Sequence, residues 1–254
     1  MIPKKIHYVW FGGKMPVDVR FCLWSWRRRL PDYEFKCWNE KNFDIHSVPF
    51  VEQAYKAGKY AFCADYIRLY ALATEGGIYL DTDVLMLKGF GEGMLSNRLF
   101  SAIELLGNPD DPVYDDYLDA NRRNRDRNRY VPYLSILSAV IGAEPATPFI
   151  GQVRQWYEEN RFVRDDGSYN TDVMITMHLA RVADDYGYRY VDELQHLADG
   201  VTIYPASVLA SKFGQITRET VAVHCALGGW TRRVTWKDHW RNLLKMIVVW
   251  VKFG

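Results

Sequence analysis

One stretch of the chain constrains its fold more than any other: residues 61–88, with the sequence AFCADYIRLYALATEGGIYLDTDVLMLK. Apolar side chains recur at helical spacing over residues 60–75 and stop at a glycine pair, which predicts a helix that ends at Gly76 and Gly77. A short apolar strand follows and ends in the acidic tripeptide at residues 81–83. This order of elements is typical of α/β folds, in which the ends of strands carry the functional side chains.

The acidic tripeptide predicts a metal site. Strand side chains alternate between faces, so we expect Asp81 and Asp83 to project together while Thr82 points to the other face. Hard cations such as Mg²⁺ and Mn²⁺ take oxygen ligands and keep positions open for phosphates. A site with so few protein ligands therefore indicates a phosphate-bearing partner, although acid pairs also occur in solvated loops.

Asp65 and Arg68 lie three residues apart on the predicted helix and so share one face. A simple ion pair on the helix surface explains this spacing. The functional alternative is that the guanidinium of Arg68 neutralises phosphate charge while Asp65 accepts hydrogen bonds from sugar hydroxyls.

Four segments together resemble a known family. They are IPKKIHYVWFGG at residues 2–13, SWRRRLPDYEFKCWNEKNFDI at 25–45, AFCADYIRLYALATEGGIYLDTDV at 61–84, and VHCALGGW at 223–230. The chain resembles glycosyltransferase family 32, whose members carry a DXD sugar-binding motif, and is more distantly similar to the large bacterial glucosylating toxins. The resemblance covers most of the first ninety or so residues and one C-terminal segment.

The resemblance implies roles for individual residues. Trp10 matches the aromatic on which the nucleotide base stacks, and Asp65 and Arg68 match the pair that holds the donor's sugar and phosphates. Asp83 matches the direct metal ligand, while Asp81 is divided between the ribose and a metal-bound water. Tyr79 is grouped with the donor-binding residues. The implied cofactor is Mn²⁺ or Mg²⁺.

The C-terminal segment resembles a pattern H-H-x-x-x-S-W that completes the metal shell and closes a Trp over the diphosphate. His224 matches the first His and Trp230 the Trp, but Cys225 and Gly229 replace the second His and the Ser. These departures put a side-chain hydroxyl near the metal in doubt. From the residues alone, each of these assignments has a structural alternative. Trp10 and His224 also fit positions in the hydrophobic core, and Trp230 also fits an ordinary indole on the surface.

The whole chain is expected to form one catalytic domain. No linker or repeat divides its 254 residues, 48% of them hydrophobic. The resemblance implies an α/β GT-A glycosyltransferase fold, a Rossmann-like, mixed and mainly parallel sheet flanked by helices, over residues 1–234, with a C-terminal amphipathic helix at 235–254. Further helices are predicted at 17–30, 149–160 and 172–186, and strands at 34–38, 99–104, 135–142, 201–204 and 221–224.

Two basic segments lie outside the motifs. The arginine-rich segment, residues 121–129, has the sequence NRRNRDRNR, and reads either as a solvated loop or as a patch for anionic headgroups or an acceptor pyrophosphate. Residues 236–254 place Trp and aliphatic side chains on one helical face and Lys and Arg on another, which suits a membrane interface or a terminal helix docked on its own domain. No motif indicates a nucleic-acid partner.

The expected setting is cytoplasmic, on the inner face of the cell membrane if the C-terminal helix binds lipid. The four cysteines show no C-x-x-C spacing, which favours reduced thiols, and the N-terminal residues MIPKK lead into a strand without an apolar targeting segment.

The family resemblance implies transfer with retention of configuration from a nucleotide sugar to a glycan or lipid-linked saccharide acceptor in cell-surface polysaccharide synthesis. UDP-sugars are the favoured donors and GDP-mannose comes second. No distinctive nucleophile is evident, and Glu104, Asn170 and Asp172 are candidates for sugar or acceptor contacts. Two alternatives remain: an inactive nucleotide-sugar-binding protein, and a metal-dependent phosphoester hydrolase, which normally needs more acids or histidines to hold two metals.

Overall fold

The computed structural model describes residues 1–172, 174–227 and 234–254. Helices and strands alternate along most of the chain. The helices are α1 (Val17–Arg29), α2 (Pro49–Lys56), α3 (Tyr60–Glu75), α4 (Glu92–Leu95), α5 (Pro148–Glu159), α6 (Ile175–Asp184) and α7 (Trp236–Phe253). The strands are β1 (Lys5–Val9), β2 (Glu34–Trp38), β3 (Gly77–Leu80), β4 (Val84–Met86), β5 (Leu99–Leu105), β6 (Leu134–Ile136), β7 (Val140–Ala143), β8 (Gln195–His196), β9 (Val201–Tyr204), β10 (Leu209–Ala210) and β11 (Ala222–His224).

The central sheet is mixed, as predicted. Its strand order is β2-β1-β3-β7-β5-β9-β8, with β6 paired to β5. The pairs β1–β2, β1–β3 and β5–β9 are parallel, whereas β7 runs antiparallel to both β3 and β5. A smaller sheet, β10-β11-β4, lies beside it and joins the chain after the acidic tripeptide to the C-terminal part of the protein.

Two hydrophobic cores lie against opposite faces of the central sheet. Along β1, Ile6 and Tyr8 pack in the core that contains α1 and the small sheet, whereas Val9 packs in the core that contains α2, α3, α5 and α6. Trp10, which follows β1, is half-buried against the first of these cores. Ile6, Tyr8 and Trp10 therefore share one face, as the alternation of strand side chains requires.

Helix α3 is joined to β3 by a glycine joint, Gly76 and Gly77, whose φ angles are +63° and +103°. A Cβ on Gly76 would lie 2.6 Å from Cδ of Pro145, and one on Gly77 would lie 2.6 Å from the backbone oxygen of Lys5. Both the left-handed backbone and the close packing therefore require glycine. The joint therefore fixes the position of the helix that carries Arg68 relative to the strand that leads to Asp81.

The predicted element bounds differ from the structure by more than one residue in two places. The strand predicted over 135–142 is broken into β6 and β7, because β5 pairs with β6 through Ile103 and Ile136 and with β7 through Leu99 and Ala143. The helix predicted from Asp172 begins at Ile175 and ends at Asp184, so Asp172 is not a helix-terminal residue. The strand over 34–38 and the helix over 60–75 are confirmed to the residue.

Helix α7 packs against α1. Met246 is fully buried, with its sulfur 3.5 Å from the thiol of Cys22. Nδ1 of His239 lies 2.8 Å from both carboxylate oxygens of the buried Asp18. The helix is thus docked on the domain by one face. Within the described ranges no helix combines the length and the apolar character needed to cross a bilayer.

Candidate active site

The acidic tripeptide lies in a turn and not on a strand. Strand β3 ends at Leu80 and β4 begins at Val84, whose N–H donates to the carbonyl of Asp81 at 2.9 Å. Alternation along a strand, from which we predicted that Asp81 and Asp83 project together, therefore does not apply to these residues. The turn itself, and the strand that pairs with β4, bring both carboxylates to one place.

Asp81 faces the buried side chain of Arg68, near the middle of α3. Its Oδ1 accepts hydrogen bonds from Nη2 of Arg68 at 2.9 Å and from the hydroxyl of Tyr79 at 3.0 Å. The same Nη2 lies 3.3 Å from Oδ1 of Asp65, and the guanidinium carbon stands 4.5 Å from the centre of the Tyr79 ring. Arg68 is 3% exposed, so this is an interior group and not the surface i, i+3 pair that the spacing alone allowed.

Asp83 faces the C-terminal segment instead. Its Oδ1 lies 3.3 Å from Nε2 of His224, and its Oδ2 accepts from the backbone N–H of Leu227 at 2.9 Å. The backbone oxygen of Asp83 accepts from the N–H of Cys225, also at 2.9 Å. His224 is opposite Val84 in the antiparallel β4–β11 pair, so the ladder sets its position beside the turn. The side chain of Cys225 is buried in the core beside α1, away from this cluster.

Asp81, Asp83 and His224 fit a divalent cation. Each offers one ligand atom, and these atoms all lie within 4.8 Å of one another. Two carboxylate oxygens and an imidazole nitrogen suit Mn²⁺ or Mg²⁺ and leave room for further oxygen ligands. Residues more than 140 positions apart in the sequence thus form one side of a metal site.

The cluster perturbs the pKa values of its members. Burial alone would raise the pKa of Asp83, but His224 and the backbone N–H groups outweigh it, and the pKa is lowered. Burial acts against protonation of His224, yet Asp83 and then Asp81 raise its pKa to about 9. Burial raises the pKa of Asp65 to about 7, because the charge of Arg68 only partly compensates for lost solvation. Strong perturbation of this kind marks functional sites.

Arg68 has unused hydrogen-bond donors. Its Nε and Nη1 are buried and have no partner among the described residues. A buried guanidinium left short of partners costs free energy unless another group accepts its protons. Nε and Nη1 of Arg68 are therefore candidate hydrogen-bond donors to an anionic ligand.

Glu104 is predicted to contact the sugar or the acceptor, and that role stays a prediction. It is 9% exposed at the end of β5, and its Oε2 accepts from the hydroxyl of Ser135 at 2.9 Å. Burial raises its pKa, and the hydroxyls of Ser135 and Thr176 and the charge of His224 oppose that shift. His224 lowers and Asp81 raises the pKa of Glu104, so both act on its carboxylate electrostatically.

Asn170 and Asp172, the other candidates for acceptor contacts, are held by Arg164. The guanidinium of Arg164 donates to Oδ1 of Asn170 at 3.0 Å and pairs with the carboxylate of Asp172. The Asp172 side chain is 74% exposed. Their contact with substrate stays a prediction.

Two predicted donor residues differ in accessibility. Trp10 donates its indole N–H to the carbonyl of Gly13 at 2.9 Å and keeps a half-exposed ring, as a base platform requires. Tyr79 is 1% exposed and contacts the cluster through its hydroxyl on Asp81 and through its ring against Arg68. Trp230 lies outside the described residues.

Sequence reasoning missed the groups that support the site. The N–H groups of Leu227 and Cys225 hold Asp83, and Ser135 and Thr176 hold Glu104. Backbone donors carry no side-chain signature, and the two hydroxyl residues come from separate elements. No local pattern could have found them.

The arginine-rich segment is bound to its own surroundings. Arg122 donates to the carbonyls of Pro109 at 2.6 Å and Tyr190 at 3.3 Å. Arg125 donates to the carbonyl of Leu118 at 2.7 Å, and Arg127 pairs with Asp185. These contacts favour a structural role over a free patch for anionic headgroups.

Residues 16–101 match a family model described as the glycosyltransferase sugar-binding region containing a DXD motif. This part of the chain is therefore similar to the sugar-binding region of glycosyltransferases, as the sequence resemblance predicted. The matched range includes the helix with Asp65 and Arg68 and the turn with Asp81 and Asp83, so the family match and the geometry identify the same site.

Two curated relatives match stretches of the chain. One stretch of 111 residues is 29% identical to subversion of eukaryotic traffic protein A of Legionella pneumophila, over 33% of this chain and 17% of that protein. Another of 62 residues is 40% identical to toxin Afp18 of Yersinia ruckeri, over 24% of this chain and 3% of that protein. The chain thus spans less than a fifth of the length of either relative.

The fold is also that of a solved glycosyltransferase. The chain superposes on galactosyltransferase LgtC, solved with donor and acceptor sugar analogues, with a TM-score of 0.50 and 13% identity. The superposition covers 96% of this chain and 95% of LgtC. This likeness concerns the fold and confirms the predicted GT-A arrangement.

Proposed function

We propose that the chain transfers a hexose from a nucleotide sugar, preferably a UDP-sugar, to a glycan or lipid-linked saccharide, with retention of configuration and with Mn²⁺ or Mg²⁺. One observation carries the proposal. The candidate metal ligands Asp81, Asp83 and His224 converge beside Arg68, a buried arginine with unused donors. A diphosphate needs both a cation and N–H donors, and this site offers a place for both.

Asp81, Asp83 and His224 would hold the cation, which when bound neutralises charge on the departing diphosphate. Arg68 would donate its free N–H groups to the same diphosphate. Because the guanidinium is already oriented by Asp65 and Asp81, it needs little reorganisation as charge builds up on the leaving group. Asp65 would accept a hydrogen bond from a sugar hydroxyl, and Glu104 would contact the transferred sugar or the acceptor.

The acceptor and the cellular setting are the least constrained parts of the proposal. Sequence resemblance supports a saccharide acceptor in cell-surface polysaccharide synthesis on the cytoplasmic side of the membrane. Because one matched relative is a toxin and another subverts eukaryotic traffic, protein acceptors belong in the same assay.

Donor hydrolysis tests the proposal. The wild-type chain is incubated with a panel of UDP- and GDP-sugars, with Mn²⁺, with Mg²⁺ or with EDTA, and free nucleotide is measured. We expect turnover of one donor that needs the metal. Asp83→Ala should abolish it, while Asp115→Ala, an exposed acid outside the site, should not change it.

Each outcome has a clear meaning. Metal-dependent binding of a nucleotide sugar without turnover or transfer to any acceptor would support the inactive binding protein. Cleavage of simple phosphoesters in preference to nucleotide sugars would support the hydrolase. Equal donor binding by wild type and Asp83→Ala would remove the metal assignment.

A further inference from the structure

Helix α7 presents an apolar stripe to solvent. Its outer stripe consists of residues three or four positions apart that are exposed by 69%, 51%, 62%, 67% and 74%: Trp236, Trp240, Leu244, Val248 and Val251. Scattered apolar residues are common on protein surfaces, but a continuous stripe along a whole helix indicates an interaction site.

In the described parts of the chain, the packing of α7 leaves this stripe exposed. The opposite face of α7 makes the docking contacts, through Leu243 and Met246 in the core and His239 on Asp18. Asn242 adds a second contact to Asp18, at 3.3 Å. Since one face already anchors the helix, the outer stripe is free to contact another surface.

Basic side chains flank the stripe. Lys237, Arg241, Lys245 and Lys252 run beside it on α7, where Asp238 is the acidic residue of the helix and pairs with Arg241. This is the charge pattern that complements an anionic surface.

Helix α1 extends the same character. Its exposed residues are Arg20, Trp24, Arg27 and Arg28. The Trp24 ring is 45% exposed and packs edge-on against Trp250 of α7, with 4.9 Å between ring centroids. Trp24 thus lies at the contact between two helices that carry exposed basic side chains. A Trp in this position suits the boundary between headgroups and acyl chains, where one edge of the ring is wet and the other is apolar.

We infer that the outer stripe of α7, with Trp24 of α1, binds the surface of an anionic phospholipid bilayer. The helix lies in the plane of the interface with its stripe among the acyl chains and its Lys and Arg side chains among the headgroups. The structure adds α1 to the surface expected from the sequence and separates the docked face of α7 from the free one.

The docked face of α7 and the basic Lys245 beside its outer stripe adjoin the candidate active site. Asn242 and Lys245 of α7 line a cavity of about 80 Å³ together with Cys225 and Leu227, whose N–H groups hold Asp83. A lipid-linked acceptor would then approach a site already held at the membrane. This last step rests on the proposed function, whereas lipid binding itself does not.

Vesicle flotation of the full chain tests the inference, with no donor or metal required. The probes are vesicles of phosphatidylcholine alone and of phosphatidylcholine mixed with phosphatidylglycerol, at low and high salt. We expect binding to the anionic vesicles that weakens with salt. Trp240→Gln/Leu244→Gln/Val248→Gln should lower partitioning by at least about tenfold, and Lys237→Gln/Lys252→Gln by roughly tenfold at low salt.

A matched control keeps the test specific. Leu106, Val113 and Leu194 are exposed by 52%, 45% and 49% away from α7, so the triple change of these residues to Gln removes similar apolar surface and should leave partitioning unchanged. Circular dichroism melts check that each variant is folded.

Three outcomes would overturn the inference. They are no flotation with anionic vesicles, equal flotation of wild type and the α7 triple variant, and self-association of the lipid-free chain that the triple variant abolishes. The last would assign the stripe to a second copy of the chain. Failure of donor hydrolysis with intact flotation would remove the proposed function and leave lipid binding in place.

Discussion

The proposed donor site consists of Asp65, Arg68, Asp81, Asp83 and His224. Like the arginine-rich segment it concentrates charge, but the two regions differ in how their charged groups are hydrogen-bonded. In the donor site Arg68 is buried with two donor atoms unused, and burial raises the pKa of Asp65 to about 7. In the arginine-rich segment, exposed or half-exposed guanidiniums such as Arg122 and Arg125 bind backbone carbonyls. Unsatisfied buried charge therefore distinguishes a binding site from a structural loop better than local charge density does.

The comparison predicts its largest effect at Arg68. Arg68→Gln should lower kcat for donor hydrolysis by about 10²–10³-fold, because a positioned donor to the leaving group is lost. Arg125→Gln, which removes one hydrogen bond to the carbonyl of Leu118, should leave kcat per folded molecule unchanged. Steady-state assays of both variants measure the contrast. Similar losses of kcat in the two would remove the distinction between the regions.

Asp65 should show that the donor site costs stability. Its pKa of about 7 in the folded protein exceeds the ordinary value of 3.8, so the folded state binds more protons between about pH 4 and pH 7. Stability should therefore fall as pH rises through this window. Asp65→Asn removes that dependence, and near pH 7.5 we expect it to stabilise the metal-free fold by about 1–2 kcal/mol, allowing for the lost pairing with Arg68.

Thermal melts in EDTA at several pH values between 4 and 8 measure this effect, with donor hydrolysis measured in parallel. The variant should lose activity while it gains stability. A lower Tm for Asp65→Asn at pH 7.5 would mean that the pair with Arg68 stabilises the fold more than burial of the carboxylate destabilises it.

Arg122 should show the reverse pattern. Arg122→Gln loses the hydrogen bonds to the carbonyls of Pro109 and Tyr190 that join separate segments, so we expect it to destabilise the fold by about 1 kcal/mol. Chemical denaturation measures the change. Activity per folded molecule should stay at the wild-type level, and a selective rise in KM would instead assign Arg122 to substrate binding.

The smallest effect is expected at Arg123, which is exposed. Arg123→Gln should alter the free energy of unfolding by less than about 0.5 kcal/mol and leave activity unchanged. It serves as the internal control for Arg122, since it removes the same charge from the same segment. Equal destabilisation by the two variants would indicate net charge, and not the carbonyl contacts of Arg122, as the cause.

The sequence predicted the parts of this molecule that depend on local pattern. The helix over residues 60–75 and its stop at the glycine pair follow from spacing and turn chemistry, and the structure confirms both. The convergence of Asp81, Asp83 and His224, implied by family resemblance, is also present. The break between β6 and β7 was missed because these two strands pair with different parts of β5. Such pairing is a tertiary effect, which one continuous apolar run in the sequence does not reveal.

The site's supporting contacts were beyond local reasoning for a similar reason. Asp81 and Asp83 share a tripeptide but face different parts of the protein, Arg68 in one direction and His224 in the other. Only the pairing of β4 with β11 shows which residues meet the second acid. Likewise, the sequence could not distinguish the arginine-rich segment from a free basic patch, because its partners are backbone oxygens.

The glycine joint between α3 and β3 has a consequence for how this protein tolerates change. Gly76 and Gly77 carry no functional side chain, yet any side chain there would push Pro145 or the backbone of Lys5 and shift Arg68 relative to Asp81. A mutational scan that scores only activity would therefore rank both glycines with the catalytic residues. Selection for activity should therefore retain this glycine pair, because the distance between Arg68 and Asp81 depends on it.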